Sequence, residues 1–573
     1  MKKIYGFLGA AALVALASCS NDNLDGPNVP DNGKDGDAVL EVRLKIGNVT
    51  RADEFKDEGY KNGSEEETAI KTLQLAFYDA AGNLLELVNA TPGTGASQTD
   101  KGNVETIYNV FEVNVDAATA ASAAHLIAIA NTTLNFSPDL DLITTRSNYS
   151  DYGNASSGFI MTNSVYVNED ADEVVNTTAL TPENFYTKGN KPAGYKSVDI
   201  YVERLAAKVE FAGVKSVTGV TVYDKNGKEG VVTFTPTNWF IQNVTDQEPL
   251  VKRLNETRPY DIWANRESEY RHLWSETSYY SSTNFSDFGL TAKTVSTGVS
   301  EGKVLTGNAT AGYTASVNSE YVFENTFDVS RLNGSTVTYN PWSAITSVVI
   351  IGKNVATPVD GSEFNPGLGS DGTFYIRGGF LANGDGVTEP KKVSYIYNAT
   401  DLINSLLATA KVTIADEDDI TSYFTLTPTG ESNKMKLIVN ETAATGKTLQ
   451  INNETSDAAS VNTALVALTT LNPVYVYTNG QGYYSVPLRH YIAQGGDAST
   501  YLDLSAETTV TGNYGIVRNN WYTLTVNIVT GLGTGVVDPE TDEPQNPEDE
   551  EDLYIDAVLN VLSWHGVSQS VDL

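Results

Sequence analysis

An all-β chain built from packed sandwiches is what this sequence predicts, and three observations carry the prediction. Short runs of alternating apolar and polar residues recur along most of the 573 residues, separated by Gly, Asn, Asp and Pro. Tyr (31), Thr, Val and Gly are abundant while Met (3) and Cys (1) are scarce, a bias toward strands and turns. Helical periodicity is nearly confined to one segment, DLINSLLATA over residues 401 to 410, with Thr400 as its expected N-cap.

The elements follow in chain order. Met1-Lys2-Lys3 is a positive leader, Ile4 to Leu16 an apolar run too short to span a bilayer, and Leu16-Ala17-Ser18-Cys19 a small-residue cleavage site. Residues 1–18 thus read as a lipoprotein signal peptide, and Cys19 as the lipidated N-terminus that remains. A diacylglycerol thioether plus an amide-linked acyl chain would give the two anchors that stable membrane attachment needs. With one cysteine no intramolecular disulfide can form.

Residues 20–38 are mostly Asn, Asp, Gly and Pro and read as a flexible tether. The pattern then changes: Leu40, Val42, Leu44 and Ile46 alternate with Glu41, Arg43 and Lys45, the period of a half-buried strand. Arg51-Ala52 follows, at the head of a polar stretch up to Glu67 that reads as a cleavable loop. Arg43 is a rival cleavage point, but it lies inside the predicted strand, where a protease has poor access.

Beyond Ile70 the body reads as KTLQLAFYD, a turn at Ala80 to Asn83, LLELV, then FEVNV (111–115), HLIAIAN (125–131) and the pair running from Val198 to Ala212. Asn226-Gly227 and Asn479-Gly480 mark two hairpin tips. Length predicts two sandwiches, over 52–212 and 213–530. Residues 531–573 begin as a Gly-, Pro- and acid-rich linker and end in order. There Ile555, Ala557, Leu559 and Val561 alternate with Asp556, Val558 and Asn560, Trp564 follows, and Val567, Val571 and Leu573 make a second apolar set.

Both ends of the chain therefore carry an apolar-faced strand on a polar lead. A free strand exposes an apolar row and unpaired backbone groups, so something must receive it. If the N-terminal strand fills a groove in its own subunit, cutting after Arg51 would release it, and a neighbour's C-terminal strand could take its place by strand addition. Burying four aliphatic side chains stabilises such a junction by roughly 6 to 12 kcal/mol before ordering costs. Donor and acceptor surfaces differ, so the contact is head-to-tail and repeats into a filament.

These segments resemble the fimbrillins of Bacteroidia, most closely the major subunit of the short (minor) fimbriae. The resemblance rests on the start ending at Cys19, the strand-then-Arg51-Ala52 junction, VERLAAKVEF (202–211), YYSVPLRHY (483–491), YGIVRNNWYTLTV (514–526) and VLSWHGVSQSVDL (561–573). It implies two transthyretin-like sandwich domains, outer-membrane lipoprotein export and removal of residues 19–51 by an arginine-specific or trypsin-like protease. It further implies donor-strand assembly through residues 553–573, in support of adhesion and biofilm formation. The implied partners are identical subunits, anchor and tip fimbrillins, that protease, and host or bacterial surface receptors. An anchor or tip fimbrillin would share the fold, and a surface glycan-binding lipoprotein is a further alternative.

Other chemistry is poorly served. With 37 basic against 72 acidic residues the net charge is −35, which disfavours nucleic acid and anionic lipid as partners. The four histidines, His125, His272, His490 and His565, lack metal-ligand spacing, and there is no Gly-x-Ser-x-Gly motif, so neither catalysis nor a cofactor is expected. Asp416 to Asp419 lacks a calcium-loop spacing and reads as a solvated turn. The aromatics from Tyr260 to Phe288, Trp263 and Trp274 among them, would be the surface for a glycan, although strand packing explains them as well. Trp239 and Trp521 read as core anchors.

Overall fold

The computed structural model describes residues 38–47, 63–93, 96–98, 104–137, 146–148, 153–154, 157–164, 166–167, 174–251, 290–291, 293–325, 345–380, 391–488, 516–544, 555–563 and 567–568. Cys19, Arg51, Ala52, Trp564, Val571, Leu573, the Tyr260 to Phe288 stretch and three of the four histidines lie outside them.

The chain is almost all β. An 11-stranded sheet gathers the first part and a 17-stranded sheet the second. The strands that position the site are β1 (Ala38–Gly47), β2 (Leu73–Asp79), β3 (Leu84–Ala90), β4 (Val104–Tyr108), β5 (Phe111–Val115), β6 (Ala123–Ala130), β7 (Met161–Asn163), β8 (Tyr186–Thr187) and β9 (Val198–Arg204). In the second sheet they are β10 (Ala207–Val217), β11 (Glu229–Gln242), β12 (Ser347–Pro358), β13 (Gln481–Pro487), β14 (Asn520–Val529) and β15 (Ile555–Ser563). The chain crosses from the first sheet to the second at Leu205-Ala206, both fully buried.

The β2–β3 hairpin forms around Ala80 to Asn83, where the Asp79 carboxylate accepts from the amides of Ala81 (2.9 Å) and Asn83 (2.8 Å). Asn226-Gly227 likewise tips a hairpin, with Asp224 Oδ1 accepting from the amides of Asn226 and Lys228. Asn479-Gly480 does not. Both residues have positive φ, but the strands on either side pair elsewhere: Val474–Tyr477 with Phe374–Phe380, and β13 with β12. A segment from the far end of the chain keeps them apart, since Thr478 donates its amide to Val536 O and Val536 donates to Gln481 O. A turn dipeptide sets the bend; the ladder partner is decided by which long strand competes for the edge.

The predicted helix exists as α2, Ala399–Ala410, after a short α1, Glu65–Thr68. Its N-cap is Asn398, not Thr400: the Asn398 side-chain oxygen Oδ1 accepts from the Asp401 amide at 2.8 Å. A second long helix, α3 (Ala458–Leu471), was not anticipated, because Val, Thr, Ser and Asn break up its Ala and Leu positions. It is capped by Asp457 on the Ser460 amide (2.7 Å) and buries Val461 and Leu465, one turn apart.

Trp239 is fully buried and donates its indole N–H to Val317 O at 3.2 Å. Trp521 is 6% exposed, and the Lys208 ammonium lies 3.8 Å from its ring centre. Glu417 of the acidic turn pairs with Lys447, and Asp419 accepts from Thr421. Among the described residues no group of three or more His, Cys, Asp or Glu could hold a metal ion, and no helix is long and apolar enough to cross a membrane.

Candidate assembly site: the β1 slot

β1 is not an edge strand. Its first half, Ala38 to Val42, runs antiparallel to β5, pairing Ala38 with Val115 and Val42 with Phe111, while Ala38 and Val39 pair with β8 on the other side. Its second half runs parallel to β9, from Val42 opposite Val198 to Ile46 opposite Val202, with β4 antiparallel beyond Lys45. Flanking strands thus line both sides, and lifting β1 out would leave a slot with open ladder groups on each wall.

Alternation makes the two faces of β1 chemically distinct. Ala38, Leu40, Val42, Leu44 and Ile46 are all fully buried in one cluster with Leu75, Phe77, Val113, Ile200 and Val202. The opposite face is charged, and each charge has a partner. Arg43 grips Asp199 with two nitrogens, Nε to Oδ1 at 2.7 Å and Nη2 to Oδ2 at 2.9 Å. Lys45 Nζ reaches Asp199 Oδ2 at 2.6 Å and the Tyr201 hydroxyl at 3.1 Å. Lys191 Nζ donates to both Glu41 oxygens, at 2.6 and 2.7 Å, and Tyr186 donates its hydroxyl to Glu41 Oε1 at 3.1 Å. The Glu41 amide donates to the Tyr195 hydroxyl, which donates to Asn184 O at 2.6 Å.

These contacts fix proton affinities. Burial pushes the Asp199 carboxyl up, but hydrogen bonds from Arg43 and Lys45 outweigh it and hold the group below its ordinary value. Burial lowers Lys45, and Asp199 and Tyr201 together more than restore it, so the ammonium is held more firmly than usual. The Tyr186 hydroxyl is pushed up by burial and by its carboxylate neighbours Glu41 and Glu112. Arg43 is therefore locked in a central strand with its guanidinium engaged, a poor protease substrate.

At Ser64 to Thr68 the chain is pinned. Ser64 and Glu67 form a capping box on α1. Glu67, 3% exposed, takes Lys208 Nζ at 2.7 Å and the Tyr321 hydroxyl on one oxygen, and its carbonyl accepts from Arg204 Nε at 2.7 Å. Arg204 also reaches Asn519 Oδ1 at 3.0 Å. Burial raises the Glu67 carboxyl, and the hydrogen bonds from Lys208, Tyr321 and Ser64 bring it below its ordinary value.

At the other end of the chain, β15 pairs antiparallel with β14 of its own chain, from Asn520 opposite Ser563 to Val529 opposite Ile555. β14 is in turn parallel to β10. The sequence placed Ile555, Ala557, Leu559, Val561 and Val567 in strands, and these positions lie in β15 and the short return strand Val567–Ser568. The structure brings them to β14, not to the β1 slot. The partners Lys191, Asp199, Tyr186 and Glu67 were missed by sequence reading; the one available hint was Asp199 on the polar face of VDIYVER.

Residues 475–570, which include β13, β14 and β15, match a family described as "Major fimbrial subunit protein type IV, Fimbrillin, C-terminal". No curated protein matches the chain. Among solved structures, a fimbrilin of Porphyromonas gingivalis is 14% identical, covering 92% of this chain and 98% of its own, with a TM-score of 0.34. A fimbrial assembly protein of Parabacteroides distasonis is 13% identical over 62% of this chain and 94% of its own, with a TM-score of 0.25. The tip fimbrial protein of Porphyromonas gingivalis, truncated at its C-terminus, is 9% identical over 63% and 99%, with a TM-score of 0.26. Over residues 475–570, then, this chain is similar to the C-terminal region of fimbrillins.

Proposed function

We propose that this protein is the structural stalk subunit of a bacterial surface fimbria, exported as a lipoprotein through Cys19 and polymerised by protease-triggered strand exchange. The observation that carries the reading is β1: an N-terminal strand whose five core-facing side chains are fully buried, seated between walls, and followed within a few residues by Arg51. Such a strand completes the fold before cleavage and leaves an acceptor slot after it. The two sandwiches of the subunit meet where the chain changes sheet. Residues 553–573 are the donor arm; its strand β15 lies on β14 in the single chain, and the arm is transferred to a neighbour's slot on assembly. The role is structural rather than catalytic. Anchor and tip fimbrillins complete the filament at its ends.

The test is to express residues 20–573, treat them with trypsin under native conditions and follow the N-terminus and oligomeric state together. The expected result is a new N-terminus at Ala52 with SDS-resistant multimers that disappear when residues 553–573 are deleted. A cleaved protein that stays monomeric with its tail intact would sink the reading.

A further inference from the structure

The backbone of the β1 slot does not choose a direction. One wall is β9, parallel to β1, with β8 antiparallel beside Ala38 and Val39, while β5 and β4 on the other wall are antiparallel, so a reversed occupant would only exchange the ladder types. The apolar floor is equally permissive, because Ile555, Ala557, Leu559 and Val561 are apolar at every second residue in either direction. Charge on the outer face is not permissive. The slot presents Lys191 over position 41 and Asp199 over positions 43 and 45.

β15 contains one charged residue, Asp556. Laid in the direction of β1 with Ile555 at the place of Leu40, it puts Ala557, Leu559 and Val561 at Val42, Leu44 and Ile46. Asp556 then takes the place of Glu41 beside Lys191. Moved two residues earlier, the acid falls at Val39, which is fully buried; moved two later, it falls at Arg43 and faces Asp199. Reversed with Val561 at Leu40, it replaces Lys45 and again faces Asp199. Burying a lone carboxylate or opposing two carboxylates is costly, so of these four placements the first is favoured. Glu112 also borders position 41, sharing the Tyr186 hydroxyl with Glu41. Lys191 offsets it, and its half-exposed side chain can follow the shorter aspartate.

We propose that Lys191 and Asp199 set the register and direction of the strand a second copy of this chain donates, pairing Lys191 with Asp556 and placing Asn560 against Asp199. The inference rests on the strand-exchange reading and adds to it which way, and how far in, the donor lies. In this arrangement Asp199 exchanges two cations for the neutral Val558 and Asn560, so the departing β1 is the better electrostatic match.

The test uses the trypsin-cleaved full chain and fluorescein-labelled peptides of residues 553–573, whose substitutions leave the subunit's fold untouched. Relative to the natural peptide, Asp556→Lys should bind about tenfold more weakly and recover on a subunit carrying Lys191→Glu. Asn560→Lys should bind about tenfold more tightly, and the gain should vanish with Asp199→Asn. A reversed donor predicts the opposite for Asn560→Lys, because that residue would then lie beside Lys191. Equal binding of all three peptides, or weakening by Asn560→Lys, overturns the register while leaving strand exchange intact. No binding of the natural peptide overturns strand exchange itself, and the register with it.

Discussion

Asp199 is where the charges of β1 converge, and its behaviour with pH follows from the partners it keeps. Its carboxyl lies below the ordinary range in the folded chain. A depressed acid contributes stability in full above its unfolded value of about 3.9, and that contribution is lost as pH falls through the folded value. The uncleaved precursor should therefore hold a constant Asp199 contribution down to about pH 4 and lose it below. Urea midpoints between pH 7 and 3 should show a smaller acid loss in Asp199→Asn than in the natural chain. Leu44, fully buried on the opposite face, probes the same strand through packing. Leu44→Ala should destabilise the precursor by about 2 to 5 kcal/mol. In cleaved subunits from which β1 has departed, the same substitution should leave the urea midpoint unchanged.

At the level of elements, what could be read from the chain was local and what could not was distant. Alternation of Leu40, Val42, Leu44 and Ile46 foretold a strand and its buried face. It could not foretell that Arg43 and Lys191 meet partners 156 and 150 residues away in sequence, because no periodicity encodes a contact between remote segments. Asn226-Gly227 closes a hairpin within its own segment; Asn479-Gly480 fails because residues 534–536 intervene. α3 was hidden for a related reason, since its β-branched and polar residues mask a two-turn apolar stripe. Gly213 shows a local demand that the sequence states only as a glycine. At a register shift between β10 and β14 its φ is +111°, and a Cβ there would meet Tyr313 O at 2.1 Å. Gly213→Ala should cost about 1 to 3 kcal/mol or more, read as a lower urea midpoint.

For the whole molecule, charge and connectivity set the conditions of assembly. Residues 1–51 hold six bases, Lys2, Lys3, Lys34, Arg43, Lys45 and Arg51, and six acids, Asp22, Asp25, Asp31, Asp35, Asp37 and Glu41, so their removal leaves the net charge at −35. Subunits of like charge repel, and salt screens exposed charges beyond about 10 Å at 0.1 M. Multimer formation after cleavage should accordingly accelerate between 0.02 and about 0.3 M NaCl, followed by light scattering; a rate that falls with salt would mean that opposite charges drive the encounter. The walls of the β1 slot carry one more consequence, a mechanical one. A strand held on both sides and pulled along its own axis loads its hydrogen bonds in shear, all together, whereas peeling it from one end breaks them in succession. An occupant of this slot thus resists tension along its axis and yields to displacement that starts at an end, so a filament joined through such slots would bear pulling at rates set by forced unfolding rather than by equilibrium affinity.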